Sequence, residues 1–413
     1  MKKIVIIFFV LFTYLASALT LEECIDKAIK THPDIKKALL DVESTQNGVK
    51  IAKADYLPQV TFNAEYDPTR TYILPVNGIF HTKDDDGWSV GGVVNQKIWD
   101  FSKTTSNIEA KRVSNDVATL TFEDAKALLA YRVKLQYELM LVQSEAIKVR
   151  KKDLQVKEEF YKQAQALVKN GLKTQADSTR FLSAVYLAKD NLAIAKANYK
   201  KAKVSLSLYI GEPIADNIVL EDSLKISSFL SMDETTLLNN SLTLKALQKS
   251  IRQESLNYKV AKASHYGSLD AVASYTHQRT LNEYDASLVG ITLNIPLYSG
   301  GRTSAQVEQA IINKESVKAT YEAKKLAIRE EFENLLIDIE RYTKTIEARE
   351  SQIEASQQTQ ALLEARYKEG LSTYIEVLDA NSITLDAKLS LLQAIYEKSS
   401  TVHRIEYLQG KIV

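Results

Sequence analysis

Residues 294–310 read NIPLYSGGRTSAQVEQA, and the pattern changes at the glycine pair Gly300-Gly301. Before this pair the chain continues an alternating run, VGITLNIPL, which predicts a strand. After it, neither Gly nor Pro occurs until Gly370, which predicts one very long helix. Pro296 and the two glycines therefore mark a corner at which a short strand turns into a helix.

The first half of the chain has the same punctuation. Residues 102–169 and 302–369 both lack Gly and Pro, and each run is followed shortly by a Gly-Leu pair. A second run without Gly or Pro follows each pair, over 172–210 and 371–409. Good helix formers fill all four runs, so each half predicts a hairpin of two long helices.

Two further segments support an internal duplication. KIAKADYLPQVTFNAEY at 50–66 resembles KVAKASHYGSLDAVASY at 259–275. The chain is therefore interpreted as a first structural repeat over 19–226 and a second over 227–413.

Each repeat also contains two stretches with period-two alternation. The predicted strands are about 58–68, 87–99, 268–278 and 285–297, with 67–87 as a long, turn-rich connection. In the first strand, Val60, Phe62, Ala64 and Tyr66 alternate with Thr61, Asn63 and Glu65. Such two-faced strands are typical of a membrane β-barrel with a wet lumen. A soluble sheet covered by helices on one face alternates in the same way, so the pattern leaves both open.

The membrane interpretation has a consequence for assembly. The smallest natural barrels need about eight strands, and open sheet edges are not tolerated in hydrocarbon. Four strands per chain therefore require several chains to complete one barrel.

Composition sets the remaining limits. With 45% hydrophobic and 25% charged residues, the 413-residue chain is neither disordered nor uniformly apolar. Residues 1–18, MKKIVIIFFVLFTYLASA, predict a secretory signal peptide, since the apolar run is shorter than the ~20 residues of a spanning helix. Basic and acidic residues number 53 and 52, which does not favour nucleic acid. The single cysteine, Cys24, forms no intrachain disulfide.

No pattern of a bond-making site is present. The sequence contains no HExxH, GxSxG or phosphate-binding loop, and its five histidines are scattered. We therefore expect a protein that is not an enzyme and needs no cofactor or metal.

Several motifs, taken together and in order, resemble the TolC-type outer-membrane factor family, also called outer membrane efflux proteins. They are LTLEECIDKAIKTHPDI, QKIWDFSK, IPLYSGGRTSAQVEQA, KNGLKTQAD and KEGLSTYIEVLDA. The resemblance implies an α+β membrane protein that forms a homotrimer. Its twelve-stranded β-barrel, four strands from each chain, lies in outer-membrane lipid, and a long α-helical barrel continues it into the periplasm.

The implied function is an exit duct for a tripartite efflux pump or a type I secretion system. Such a duct is a passive channel that inner-membrane partners open, through a periplasmic adaptor and an inner-membrane transporter. The alternative from the residues alone is a soluble periplasmic coiled-coil scaffold or adaptor. The substrate stays open.

The resemblance also assigns a gate. Glu376 and Asp379 are spaced i, i+3, so they share one face of a helix. In the family, acidic residues at these positions face the axis at the periplasmic entrance, and three copies would supply six carboxylates. The alternative is an exposed, solvated acidic patch.

Tyr367 and Asp177 match family positions that tether neighbouring helices in the closed state. The basic family position two residues past the second tip glycine is Ser372 here, which cannot form a salt bridge. Lys173 is the candidate to compensate for it.

The tips themselves, Gly171-Leu172 and Gly370-Leu371, match the family positions that meet a periplasmic adaptor. A glycine at such a position is also the usual helix C-cap in the left-handed conformation. The two roles are compatible.

Overall fold

The computed structural model describes residues 19–215, 218, 220–227, 229 and 232–412. The predicted signal peptide lies outside the described residues. The helices are α1 (Leu21–Thr31), α2 (Pro33–Ala54), α3 (Lys103–Lys169), α4 (Gln175–Ile210), α5 (Glu234–Asn240), α6 (Leu242–Ala263), α7 (Arg302–Lys368) and α8 (Tyr374–Leu408). The strands are β1 (Gln59–Val76), β2 (Ile79–Trp99), β3 (Ser268–Arg279) and β4 (Glu283–Asn294).

The predicted long helices are confirmed, and their lengths repeat. α3 and α7 have 67 residues each, α4 and α8 have 36 and 35, and α2 and α6 have 22 each. The order of short helix, hairpin, long helix and second long helix occurs twice along the chain.

The chain forms two compact units, and each takes segments from both halves. One unit contains α1, α4, α5 and α8, with α3 from Glu123 onward and α7 from Ala327 onward. The other contains the sheet, α6, most of α2 and the beginnings of α3 and α7. This grouping does not follow the sequence repeats, whose boundary at 226/227 stays a prediction.

The four strands form one antiparallel sheet in the order β1-β2-β3-β4. All four junctions with helices lie at one end of this sheet, and both hairpin turns lie at the other. The first hairpin corrects the prediction that 67–87 is a turn-rich connection, because β1 and β2 pair until Val76 and Ile79. Asn77 and Gly78, with φ of 50° and 78°, form the actual two-residue turn.

A β-bulge explains how the first hairpin accommodates its proline. Pairing shifts between Asp67 and Arg70, so two residues of β1, Pro68 and Thr69, lie opposite one residue of β2. A β-bulge can accommodate proline, which has no backbone N–H to donate to the hydrogen bonds between the strands. Pro68 therefore does not end the strand.

Left-handed backbone turns the chain from strand to helix in both halves. β4 ends at Asn294, earlier than the predicted 297, so Pro296 lies just outside the strand. Gly300 and Gly301 follow with φ of 64° and 82°, and α7 begins at the next residue. The first half makes the same turn without glycine.

There, Phe101 and Ser102 have positive φ, an unusual conformation for residues with a side chain. Buried Asp100 then caps the start of α3, because its Oδ2 accepts the Thr104 backbone N–H at 2.9 Å.

Distant segments meet beside α3 in the first unit. Leu19 pairs with Leu220 in an isolated parallel bridge. The Tyr137 hydroxyl donates to the Leu19 carbonyl oxygen and lies 2.7 Å from an oxygen of Asp222. Cys24 on α1 is fully buried, and burial raises the pKa of its thiol to about 12.

None of the helices in the described part of the chain combines the length and the apolar character that a membrane crossing requires.

Candidate functional site

In the part of the sheet next to the helix junctions, the pairing register brings most apolar residues of the four strands onto one face. One row across the strands contains Val60, Val94, Ala273 and Val289, and the next contains Phe62, Gly92, Tyr275 and Ser287. Rows on the opposite face are mostly polar or small, including Asn63, Gly91, Thr276 and Ala286, then Glu65, Ser89, Gln278 and Tyr284. The two-faced character predicted strand by strand thus extends across this part of the sheet, whereas the pair His277 and Asp285 lies on the same face farther from the junctions.

The apolar face is bare in the single chain. Phe62 is 72% exposed, Ile291 69% and Val289 86%. β1 and β4 each pair on one side only, so the sheet has two free edges. An exposed apolar face with unpaired edges is a surface that soluble proteins avoid.

The two helical tips end in the same hydrogen-bonding motif. At the first tip, the N–H of Leu172 donates to the Leu167 carbonyl at 2.9 Å and that of Gly171 to Val168 at 3.0 Å. The second tip repeats both bonds, from Leu371 to Arg366 and from Gly370 to Tyr367. This is the Schellman helix ending, and Gly171 and Gly370 supply its left-handed residue with φ of 72° and 77°. Leu172 and Leu371 are exposed.

A capping box begins the helix after each tip. The Thr174 hydroxyl accepts the N–H of Asp177, whose carboxylate accepts the N–H of Thr174 at 2.9 Å. Thr373 and Glu376 make the same pair, with 2.6 Å from the Thr373 nitrogen to the Glu376 carboxylate. These bonds lower the pKa of Glu376. The Thr-x-x-Asp/Glu spacing was readable in the sequence and was missed.

Tyr367 lies at the centre of a buried aromatic cluster. Its ring contacts Phe181 edge-on, with centroids 5.5 Å apart, and Phe160 at 6.4 Å. Ala164 and Val377 complete the cluster, so α3, α4, α7 and α8 all contribute to it. Burial, and then the charge of Asp177, raise the pKa of Tyr367 to about 12.

The Tyr367 hydroxyl has no hydrogen-bond partner among the described residues. The predicted tether residues Tyr367 and Asp177 are therefore neighbours that are not hydrogen-bonded in this conformation. Asp177 instead caps its own helix, as described above.

Lys173 joins the two tips. Its Nζ donates to the Ser372 carbonyl oxygen at 3.2 Å and lies 5.4 Å from the centroid of the Tyr367 ring. Ser372 is buried, and its hydroxyl donates to the Leu363 carbonyl at 3.1 Å. Lys173, the candidate suggested from the sequence, therefore has a backbone carbonyl and an aromatic face as its partners, and its compensating role stays a prediction.

The two tips extend to different depths. Phe160 lies eleven residues before Gly171, whereas Tyr367 lies three residues before Gly370, yet the two rings meet in one cluster. At 1.5 Å per residue, the first tip extends roughly 10 Å farther from the cluster than the second.

Glu376 and Asp379 are both exposed on the first turns of α8, close to the second tip. They share a side of the helix, as their spacing predicts. Among the described residues, no group of three or more metal-ligating side chains lies close enough together to hold an ion.

A polar cluster joins α3 to α8 farther from the tips. Glu138 and Glu406 lie 2.8 Å from the two ring nitrogens of His403, and Lys134 lies 2.9 Å from Glu406. Burial opposes the charge on His403, but its hydrogen bonds to Glu138 and Glu406 raise its pKa to about 9. His403 therefore carries a proton at neutral pH.

These features define a class of protein. The chain is an α+β protein with a two-faced, open-edged sheet. In each half a 67-residue helix follows the β-hairpin along the chain, and a Gly-Leu helical tip follows that helix. The chain belongs to the outer membrane efflux protein family, whose family model matches residues 24–212 and 235–411. This match confirms the resemblance found in the sequence. The family consists of outer-membrane channel proteins and not of enzymes.

Individual relatives agree with the family match. The outer membrane protein TolC of Escherichia coli (strain K12) is 23% identical over 415 residues, covering 93% of this chain and 81% of TolC. The outer membrane efflux protein BepC of Brucella suis biovar 1 is 22% identical, covering 92% of this chain and 82% of BepC. The crystal structure of the outer membrane protein VceC from Vibrio cholerae superposes with a TM-score of 0.82 at 17% identity, covering 95% of this chain and 97% of that chain.

Proposed function

We propose that this chain is one protomer of an outer-membrane exit duct that serves a tripartite efflux pump or a type I secretion system. Three copies contribute four strands each to a twelve-stranded barrel, and the long helices continue the passage into the periplasm. The duct itself is passive. A periplasmic adaptor and an inner-membrane transporter open it and supply the energy.

The sheet carries this proposal. Its register collects apolar side chains on one face and polar or small ones on the other, and both edges are unpaired. In a membrane barrel, lipid covers the apolar face, water solvates the polar face, and the strands of neighbouring copies pair with the two free edges. In a soluble scaffold, the apolar face and the unpaired edges of this sheet would be exposed to water.

Two neighbouring residues of β4 test the proposal. Ile291 lies on the apolar face, and Thr292 lies on the polar face, paired with Asp270. A lysine on the lipid side of a membrane strand costs up to ~2–4 kcal/mol per chain, with the largest cost at the midplane. Ile291→Lys should therefore remove heat-modifiable trimers from the outer-membrane fraction, whereas Thr292→Lys should keep them. A purified wild-type chain that is a stable monomer without detergent contradicts the proposal.

For the gate, we propose that Glu376 and Asp379 of three copies surround the periplasmic opening. Six carboxylates around a narrow passage attract cations and hinder anions. Glu376 is held by its capping bonds to Thr373, which fixes its carboxylate at the start of α8.

For docking, the tip leucines supply the contact. Leu172 and Leu371 are exposed beside glycines at which an added Cβ would meet open space. An apolar side chain on a rigid helix ending gives an adaptor a small, defined surface.

For the closed state, Tyr367 and Asp177 act as the tether in the assembled channel, since the Tyr367 hydroxyl has no hydrogen-bond partner within the described part of the single chain. Tyr367→Phe removes only this hydroxyl. We expect it to leave the melting temperature unchanged or slightly raised, because an unpaired buried hydroxyl is lost, and to raise the conductance of the closed channel. Unchanged conductance contradicts the tether.

The class of substrate is decided by comparing cells with and without the gene. A changed drug susceptibility identifies efflux, and a changed set of secreted proteins identifies type I secretion.

A further inference from the structure

The β1–β2 hairpin extends far beyond the rest of the sheet. The last pair between β2 and β3 is Trp88 with Arg279, but β1 and β2 stay paired as far as Val76 and Ile79. Nine residues of β2 separate Trp88 from Ile79, which at ~3.4 Å per residue is a projection of roughly 30 Å. The second hairpin turns directly after Arg279, so only the first hairpin projects.

The projecting part has a charged stalk and an apolar tip. Its stalk carries Arg70, Lys83, Asp84, Asp85 and Asp86. Its tip carries Ile73, Leu74, Pro75, Ile79 and Phe80. Ile73, Ile79 and Phe80 are 66%, 64% and 75% exposed.

The apolar residues of the tip lie on both of its faces. Pro75 pairs with Phe80 on one face, together with Ile73, whereas Leu74 and Ile79 lie on the other. A flat lipid or sugar surface covers only one face of a hairpin. The equivalent hairpin tips of two neighbouring copies can cover both apolar faces of each tip.

The length of the hairpin and the bulge at its base fit contact between copies. Twelve strands spaced about 4.8 Å apart and tilted about 40° close into a barrel with a radius of about 12 Å. The hairpin is longer than this radius. The bulge between Asp67 and Arg70 lies at its base, where it bends the strand and increases its twist. Each tip can therefore lean to the axis.

We propose that the β1–β2 hairpin tips of three copies pack against one another across the extracellular end of the duct. This inference rests on the proposed trimer. The apolar tip residues then leave water together, while the charged stalks remain solvated. The contact closes the exit until cargo separates the tips, which gives the duct a second closure in addition to the proposed gate.

A disulfide tests the contact. The only native cysteine is Cys24, so Cys24→Ser supplies a background free of other thiols. In it, Phe80→Cys places a thiol at the tip. Asn282→Cys, in the turn of the short hairpin, is the matched control at the same end of the sheet. Disulfides form only when the Cα atoms approach within about 7 Å.

With a mild oxidant on intact cells, Phe80→Cys should give covalent dimers that contain about two-thirds of the chains, since three thiols form one bond. Asn282→Cys should stay unlinked. Oxidation should also block export, and a reductant should restore it. Trimers on a native gel without a Phe80→Cys disulfide overturn the proposal, as does a disulfide that leaves export unchanged. Loss of the native trimer itself would instead contradict the proposed function.

Discussion

Replacing Lys173 by methionine should favour the open form of the tips. Lys173 is the only described side chain that links the first tip to the backbone of the second, through its hydrogen bond to the Ser372 carbonyl and its position over the Tyr367 ring. Methionine keeps the length of the side chain and removes the charge and the donor. The change therefore isolates these two contacts.

The magnitude follows from their geometry. A half-exposed charged hydrogen bond of 3.2 Å contributes about 1 kcal/mol, and a cation at 5.4 Å from a ring centroid about 0.5–1 kcal/mol. Since 1.4 kcal/mol is a factor of ten, their loss shifts the closed-to-open ratio by roughly 10- to 30-fold for each chain.

Single-channel recording in planar lipid bilayers, without adaptor, measures this ratio as the fraction of time spent open. Lys368→Met is the matched control, because Lys368 is an exposed lysine of the last turn of α7 beside the same tip. Lys173→Arg keeps charge and donors and should stay close to wild type. An equal effect of Lys173→Met and Lys368→Met would show that only the local charge matters, and would refute the link.

Three further outcomes are expected. In the double variant Glu376→Gln, Asp379→Asn, the concentration of a multivalent cation that gives half-maximal block should rise at least about tenfold, because six carboxylates are lost. An unchanged blocking concentration in bilayer recordings would show that these residues form an exposed, solvated acidic patch and not a gate. Gly171→Val and Gly370→Val should each abolish export while trimers persist on native gels, since the left-handed φ costs ~1–3 kcal/mol locally and the bulk alters the docking surface; lost trimers would indicate a purely structural role. His403→Gln should flatten the pH dependence of the melting temperature. Folding raises the pKa of His403 from 6.5 to about 9, so protonated His403 stabilises the fold fully below pH 6.5, and this stabilisation disappears as the pH rises through 9. A difference in melting temperature between wild type and variant that is the same at pH 6.5 and pH 9 would contradict this.

The helices were predictable because their signal is local and long. Residues 103–169 and 302–368 are rich in good helix formers and contain neither Gly nor Pro, and Gly171 and Gly370 mark their ends. The first hairpin was not. Pro68 and Gly87 are residue types typical of loops, so they predicted a connection where the strands in fact continue. The β-bulge that accommodates Pro68 has no distinctive pattern in a single sequence.

The candidate site divides in the same way. Tip glycines and the acidic pair were visible as short patterns, and the capping boxes at Thr174 and Thr373 were equally visible. The meeting of Phe160, Phe181 and Tyr367 depends instead on which long helices face each other. Sequence periodicity fixes the apolar side of each helix but not its partner.

The unequal depth of the two tips affects stoichiometry. A trimeric assembly presents six helix ends, and the roughly 10 Å step separates them into three prominent and three recessed ones. A partner with a single kind of contact must therefore bind in three copies, or in six copies held in two non-equivalent ways. The two ends are similar in sequence, but the register of Phe160 against Tyr367 makes them non-equivalent in position, so the rim has no true sixfold symmetry.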